Sequence, residues 1–161
     1  MSAPDLLDAE RPVDLGKLGA PPPRPQKCGR LPDWQLRLAE FMGSRFAMPF
    51  NWGTNDCCLF AADAVLAMTG IDHAASLRGT YTTALGAQRI VDDAGGMLAL
   101  TEGMLGGAMS PLLAGVGDVV LVKNEGRELL AICNGVNTLS PGAAGLVGLE
   151  TFNHGLAAWR I

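Results

Sequence analysis

Residues 49–60 read PFNWGTNDCCLF, and how this stretch is read decides the fold. Pro49, Gly53 and Asn55 break regular structure, since proline has no amide hydrogen to donate and glycine and asparagine suit turns. Immediately after them, DCCLFAADAVLAMTG has only Asp63 and Thr69 as polar residues between its two cysteines and Gly70. Such a segment is expected to be a helix buried on nearly every side, with Gly70 as its stop. Cys57 then falls in the first turn, with Asn55 or Asp56 as the cap. The unpaired N–H groups and the positive end of the helix dipole at that place favour thiolate over thiol. Cys58, one residue on, projects about 100° away and is expected in the core. Position alone leaves two readings of Cys57, a reactive nucleophile or a small buried side chain, because free cysteines are commonly buried.

Working outward, LPDWQLRLAEFMGSRF predicts an amphipathic helix with Asp33 as N-cap, Trp34, Leu38, Phe41 and Met42 on one face, and an end near Gly43. TYTTALGAQRIVDDAGG predicts a third helix over about 82–94, and a weaker helical or loop segment runs on to Gly115. There the apolar period changes. GDVVLVK and ELLAICNG are short apolar runs around NEGR, the pattern of a β-hairpin, and GLVGLE and AAWRI read as two further strands. Helices first and strands second predict an α+β domain over residues 31–161, its N-terminal helices packed on one small antiparallel sheet. Residues 1–30 differ from the rest. The proline-dense GAPPPRPQKCGR predicts an extended arm, either a tail without fixed structure or a strap that orders on a partner.

Composition narrows the function. A chain of 161 residues, 48% hydrophobic and 17% charged, suits one ordinary core. A net charge of −4 gives no basic field, so nucleic acid is not an expected partner. The first residues carry acids and no apolar run, unlike a secretory signal. The longest apolar tract, MLALTEGMLGGAMSPLLAGVG, is broken by Glu102 and Pro111, which argues against a membrane span. Cys28, Cys57, Cys58 and Cys133 form no C-x-x-C pair, and only His73 and His154 accompany them. Neither a zinc site nor a cofactor is therefore expected.

The stretch PFNWGTNDCCLF resembles the segment of the NlpC-type, papain-like cell-wall cysteine peptidases in which proline, an aromatic and a glycine precede Asp-Cys-Ser-Gly-Phe at a helix start. GDVVLV is similar to their Gly-Asp-Leu-Val strand, which pairs with a strand beginning His-Val-Gly-Ile. The resemblance covers about residues 31–161. It implies a papain-like fold with Cys57 as nucleophile and Asp56 as the helix cap. Placing LLAICNG on the histidine strand puts Leu129 where the imidazole should stand, and Cys58 and Leu59 replace the serine and glycine after the nucleophile. Leucine accepts no proton, so the base is expected to be lost from that position. His73, past the far end of the Cys57 helix, would lie about 20 Å off unless the loop doubles back. His154, before the last strand, is the one histidine a sheet could bring near Cys57.

The whole chain also resembles a narrower group encoded among the tail genes of tailed bacteriophages and prophages, in which motifs standing here as DCCLFAAD, RGTY, GDVVLV and AAWRI occur together. That resemblance implies a virion setting, at the tail tip, with other tail proteins as partners and the arm as a docking element. Two expectations follow. The first is a tail component on a degenerate papain-like fold. The second is an active cysteine peptidase or amidase that cleaves peptidoglycan, with His154 as base. A vestigial cleft that binds a small molecule is a third.

Overall fold

The computed structural model describes residues 29–161, so the arm expected over 1–30 lies outside the described residues up to position 28. Four helices come first: α1 (Trp34–Arg45), α2 (Cys57–Thr69), α3 (Ala84–Ala94) and α4 (Met97–Leu105). A 3-10 turn at Pro111–Leu113 leads into the strands β1 (Val119–Asn124), β2 (Arg127–Cys133), β3 (Thr138–Gly142) and β4 (Gly145–Leu149). A single-turn helix α5 (Thr151–His154) then precedes β5 (Gly155–Trp159). The five strands form one antiparallel sheet in the order β4-β3-β2-β1-β5. The expected α+β class, helices before an antiparallel sheet, is what the chain adopts.

Alternation along the strands explains why the sheet is buried on both faces. Val119 and Leu121 of β1, with Leu130 and Ile132 of β2 and Trp159 of β5, pack against α1 and α2 in the main core. Their neighbours Val120, Val122, Ala131, Cys133 and Ala158 form a second cluster on the opposite face, closed by Met109 and Ala114 from the connection before β1. Trp159 is buried and donates its indole N–H to the Gly106 carbonyl at 2.9 Å, whereas Arg160 reaches solvent, as alternation in AAWRI predicts.

Several element boundaries differ from expectation. Asp33 precedes α1 but makes no capping bond; its carboxylate accepts from Arg37 at 2.8 Å, and the helix continues through Gly43 to Arg45. The helix of 82–94 begins at Ala84, because the Thr83 side chain accepts from Gly86 N–H and caps it there. The weak segment after it contains α4, held by Met97 and Thr101 in the interior. β3 was not expected at all. The turn-like composition of TLSPG is overridden by pairing with β4 along its length and with β2 at Ile132 and Cys133. The NEGR hairpin forms with Asn124 opposite Arg127, and Glu125 and Gly126 occupy the two left-handed positions of its turn.

Candidate functional site

The approach to α2 is pinned from several sides. Arg45, in the last turn of α1, donates to the Asn55 side chain and to Asp63 on α2, each at 2.9 Å. Arg78 donates to Asp63 at 2.6 Å and to Asp72 at 2.7 Å, so Asp63 is held between Arg45 and Arg78. The Asn55 amide group in turn donates to the Pro49 carbonyl at 3.0 Å. The segment after α2 therefore folds back along the helix rather than leaving it. It brings Tyr81 to the start of α2.

Asp56 is the cap. One carboxylate oxygen accepts from Leu59 N–H at 3.0 Å; the other accepts from Gly53 N–H at 2.9 Å and from the Tyr81 hydroxyl at 2.7 Å. Every described donor to this buried carboxylate is neutral. Burial and the adjacent Asp56 charge push the Tyr81 phenol well above its ordinary range, so the hydroxyl keeps the proton it donates. Gly53 has φ of +76°, and a Cβ there would stand 2.3 Å from the Tyr81 carbonyl oxygen. The glycine in FNWG thus serves both the turn and the close approach of the returning chain.

Cys57 opens α2 and is half-buried. The Cys58 thiol, hydrogen-bonded to it, draws the Cys57 pKa below the ordinary thiol value. The Leu130 backbone N–H acts in the same direction, while burial and the Asp56 charge oppose them. Cys58 is driven the other way, well above a normal thiol, by that same bond and by burial. The pair is thus polarised, with the proton held on Cys58 and Cys57 the more acidic sulfur.

Cys57 lies in an open cleft of about 690 Å³. Trp52, Cys57 and Tyr81 form one side, Gln88 and Val91 of α3 with Met97 and Leu100 of α4 another, and the hairpin residues Gly126, Arg127 and Glu128 the third. Trp52 is steadied by edge-on contact with Phe50, ring centroids 4.7 Å apart. Both histidines of the chain are described, and neither lines this cleft. His154 ends α5, where its Nδ1–H donates to the Lys123 carbonyl at 3.0 Å. His73 lines a separate narrow cavity that Cys58 also borders, because the segment after α2 doubles back.

Leu129, the position expected to match the family's base, packs with the second cluster on the sheet face away from α2. The β2 residues that line the cleft are its neighbour Glu128 and Arg127, a solvent-exposed carboxylate and a solvent-exposed guanidinium. The sequence singles out neither Glu128 nor Met97, and carries Tyr81 only as the last residue of RGTY, with no role at the site. Glu128 was recoverable from alternation with Leu130, whereas Tyr81 and Met97 arrive through the tertiary path of the chain.

Chemically, the cleft offers an acidified sulfur flanked by a backbone N–H, a largely apolar wall, the exposed Glu128 carboxylate and the exposed Arg127 guanidinium. A cysteine hydrolase also requires a group that takes the thiol proton and returns it to the leaving amine. Asp56 is fully engaged in holding the loop. Among the described residues no helix is long and apolar enough to cross a membrane, and no group of three or more His, Cys, Asp or Glu could hold a metal ion.

No curated protein matches this chain. The profile of a domain of unknown function, DUF6950, matches residues 29–161, which begins where the described structure begins and spans α1 to β5, so the chain belongs to that family.

Proposed function

We propose that the chain is a structural or assembly component of a bacteriophage tail, built on a papain-like, NlpC-type domain whose hydrolase site is degenerate and whose cleft binds rather than cleaves. The observation that carries the degenerate site is that Cys57 lies in a cleft lined by neither histidine. The tail setting rests on the motifs DCCLFAAD, RGTY, GDVVLV and AAWRI occurring together. In this reading other tail proteins are the partners, and residues 1–30 are one docking element. Mass spectrometry of purified virions tests the setting: the chain is expected in the tail fraction, and its absence from virions that require its gene overturns the assignment.

The lowered pKa of Cys57 favours one other reading, an active cysteine peptidase or amidase acting on peptidoglycan. His154 would have to leave Lys123 to serve as its base. Purified protein incubated with cell-wall peptides, beside Cys57→Ala, separates the two. We expect no turnover; turnover lost in Cys57→Ala would establish the enzyme and end the degenerate-site reading.

A further inference from the structure

The sheet face away from α2 carries two apolar layers. The inner one is the second cluster, closed by Met109, Ala114, Leu129 and Leu149. Outside it the 3-10 turn Pro111–Leu113 lies along β5 and α5: a Cβ on Gly155 would stand 2.7 Å from the Pro111 ring, and the Leu113 carbonyl accepts from Arg160 at 2.8 Å. This outer layer turns its large apolar side chains to solvent. Phe152 is 80% exposed, Leu112 66%, Leu113 62% and Leu156 48%, the last on this face by alternation with Ala158. None of the four belongs to a core cluster, so the interior gives no reason for their being apolar. Together they present on the order of 500 Å² of apolar surface, close to the apolar share of the roughly 800 Å² that each partner gives to a standard protein interface.

Two exposed charges flank the patch along the chain, Glu150 before α5 and Arg160 after β5. Glu150 accepts from Asn153 and, among the described residues, meets no cation. Arg160 is the outer of the two arginines at Asp118, 3.6 Å away against 2.7 Å for Arg30. An apolar centre with one anion and one cation beside it is complementary to itself. We propose that this face is the contact between two copies of the chain, paired about a twofold axis, with Phe152 and Leu112 of each copy in the centre and Glu150 of one copy facing Arg160 of the other. The Cys57 cleft, on the α2 side of the sheet, stays open in such a pair. The inference therefore stands whichever reading of the cleft is correct, and apart from the tail assignment.

Sedimentation equilibrium on the full chain is the test. At about 100 µM the parent is expected to have twice the mass of one 161-residue chain. Phe152→Ala should weaken pairing about thirtyfold, as the loss of an aromatic from an interface centre does. Leu112→Glu should abolish it at that concentration, Glu150→Lys should weaken it about tenfold, and Leu36→Glu, at an exposed leucine of α1, should leave it unchanged. A parent that stays monomeric overturns the proposal: a Phe152 shielded from hydroxyl radicals would then assign the patch to residues 1–28 of the same chain, and an open Phe152 would leave it to a different protein. Pairing that survives both Phe152→Ala and Leu112→Glu puts the contact elsewhere and overturns it too. Should a variant fail to fold, radical footprinting of the parent decides: protection of Phe152 that grows with protein concentration supports the contact, and protection independent of concentration overturns it.

Discussion

Asp56 and Asp118 are equally buried, each 1% exposed, yet the chain satisfies them by opposite means. Asp56 rests on dipoles, the N–H groups of Gly53 and Leu59 and the Tyr81 hydroxyl. Asp118 rests on cations. Arg30 meets it at 2.7 Å and Arg160 stands 3.6 Å away, with Gly115 N–H donating at 2.8 Å. Dipoles hold a charge in place without cancelling it, so the field of Asp56 persists at Cys57 and works against thiolate formation. Paired cations extinguish the field and leave a mechanical joint. The difference separates a region that tunes a neighbouring sulfur from one that fastens the domain together.

The comparison can be broken by substitution. Arg30→Ala should have the largest effect, about 3 kcal/mol of stability in urea unfolding, because it takes the nearer cation from a buried carboxylate and leaves it Arg160 at 3.6 Å and the N–H groups of Gly115 and Ile161. A loss near zero would mean that the Arg30 contact contributes nothing to holding Asp118 in place. Tyr81→Phe should cost about 2 kcal/mol, the penalty for a buried acceptor deprived of one donor. It should also slow Cys57 alkylation, since a less stabilised Asp56 charge acts harder on the thiol.

Asp56→Asn sharpens the contrast further. Asparagine keeps one capping oxygen, so the expected stability loss is about 1 kcal/mol, but the negative field disappears. Cys57 should then react faster with iodoacetamide at any pH below its midpoint; slower reaction would show that Asp56 assists the sulfur rather than opposing it. The smallest effect is expected on stability and read only in rate. Cys58→Ala removes the hydrogen bond that most lowers the Cys57 pKa. Because thiolate is the reacting form, the alkylation profile should move to higher pH. An unmoved profile would place the control of Cys57 in the helix terminus and Leu130 instead.

Local chemistry made much of this legible in the sequence. The apolar run after Asp56 with its Gly70 stop, the NEGR turn and the apolar strand pair each carry their own signal within a few residues. β3 did not, because TLSPG is a strand only by virtue of β2 and β4 on its two sides. At the site, the cap and the cysteine were readable, while the base position was sensitive to register. One residue of slip along β2 exchanges Leu129, on the far face, for Glu128, on the cleft. Tyr81 was out of reach for a different reason. Its role depends on the chain turning back along α2, which the ion pairs of Arg78 with Asp63 and Asp72 support and no local pattern announces.

The joint at Asp118 also brings distant parts of the chain side by side: the Arg30 guanidinium donates to the Ile161 carbonyl at 2.7 Å and to the Val116 carbonyl at 2.9 Å. A few added residues could therefore splice position 161 to position 29 and close the domain into a loop without crossing its core. Fresh ends opened at the exposed Val136, in the bend between β2 and β3, would leave the cleft walls uncut. The architecture is in that sense indifferent to where its polypeptide starts, and a circularly permuted version should fold around the same sulfur pair.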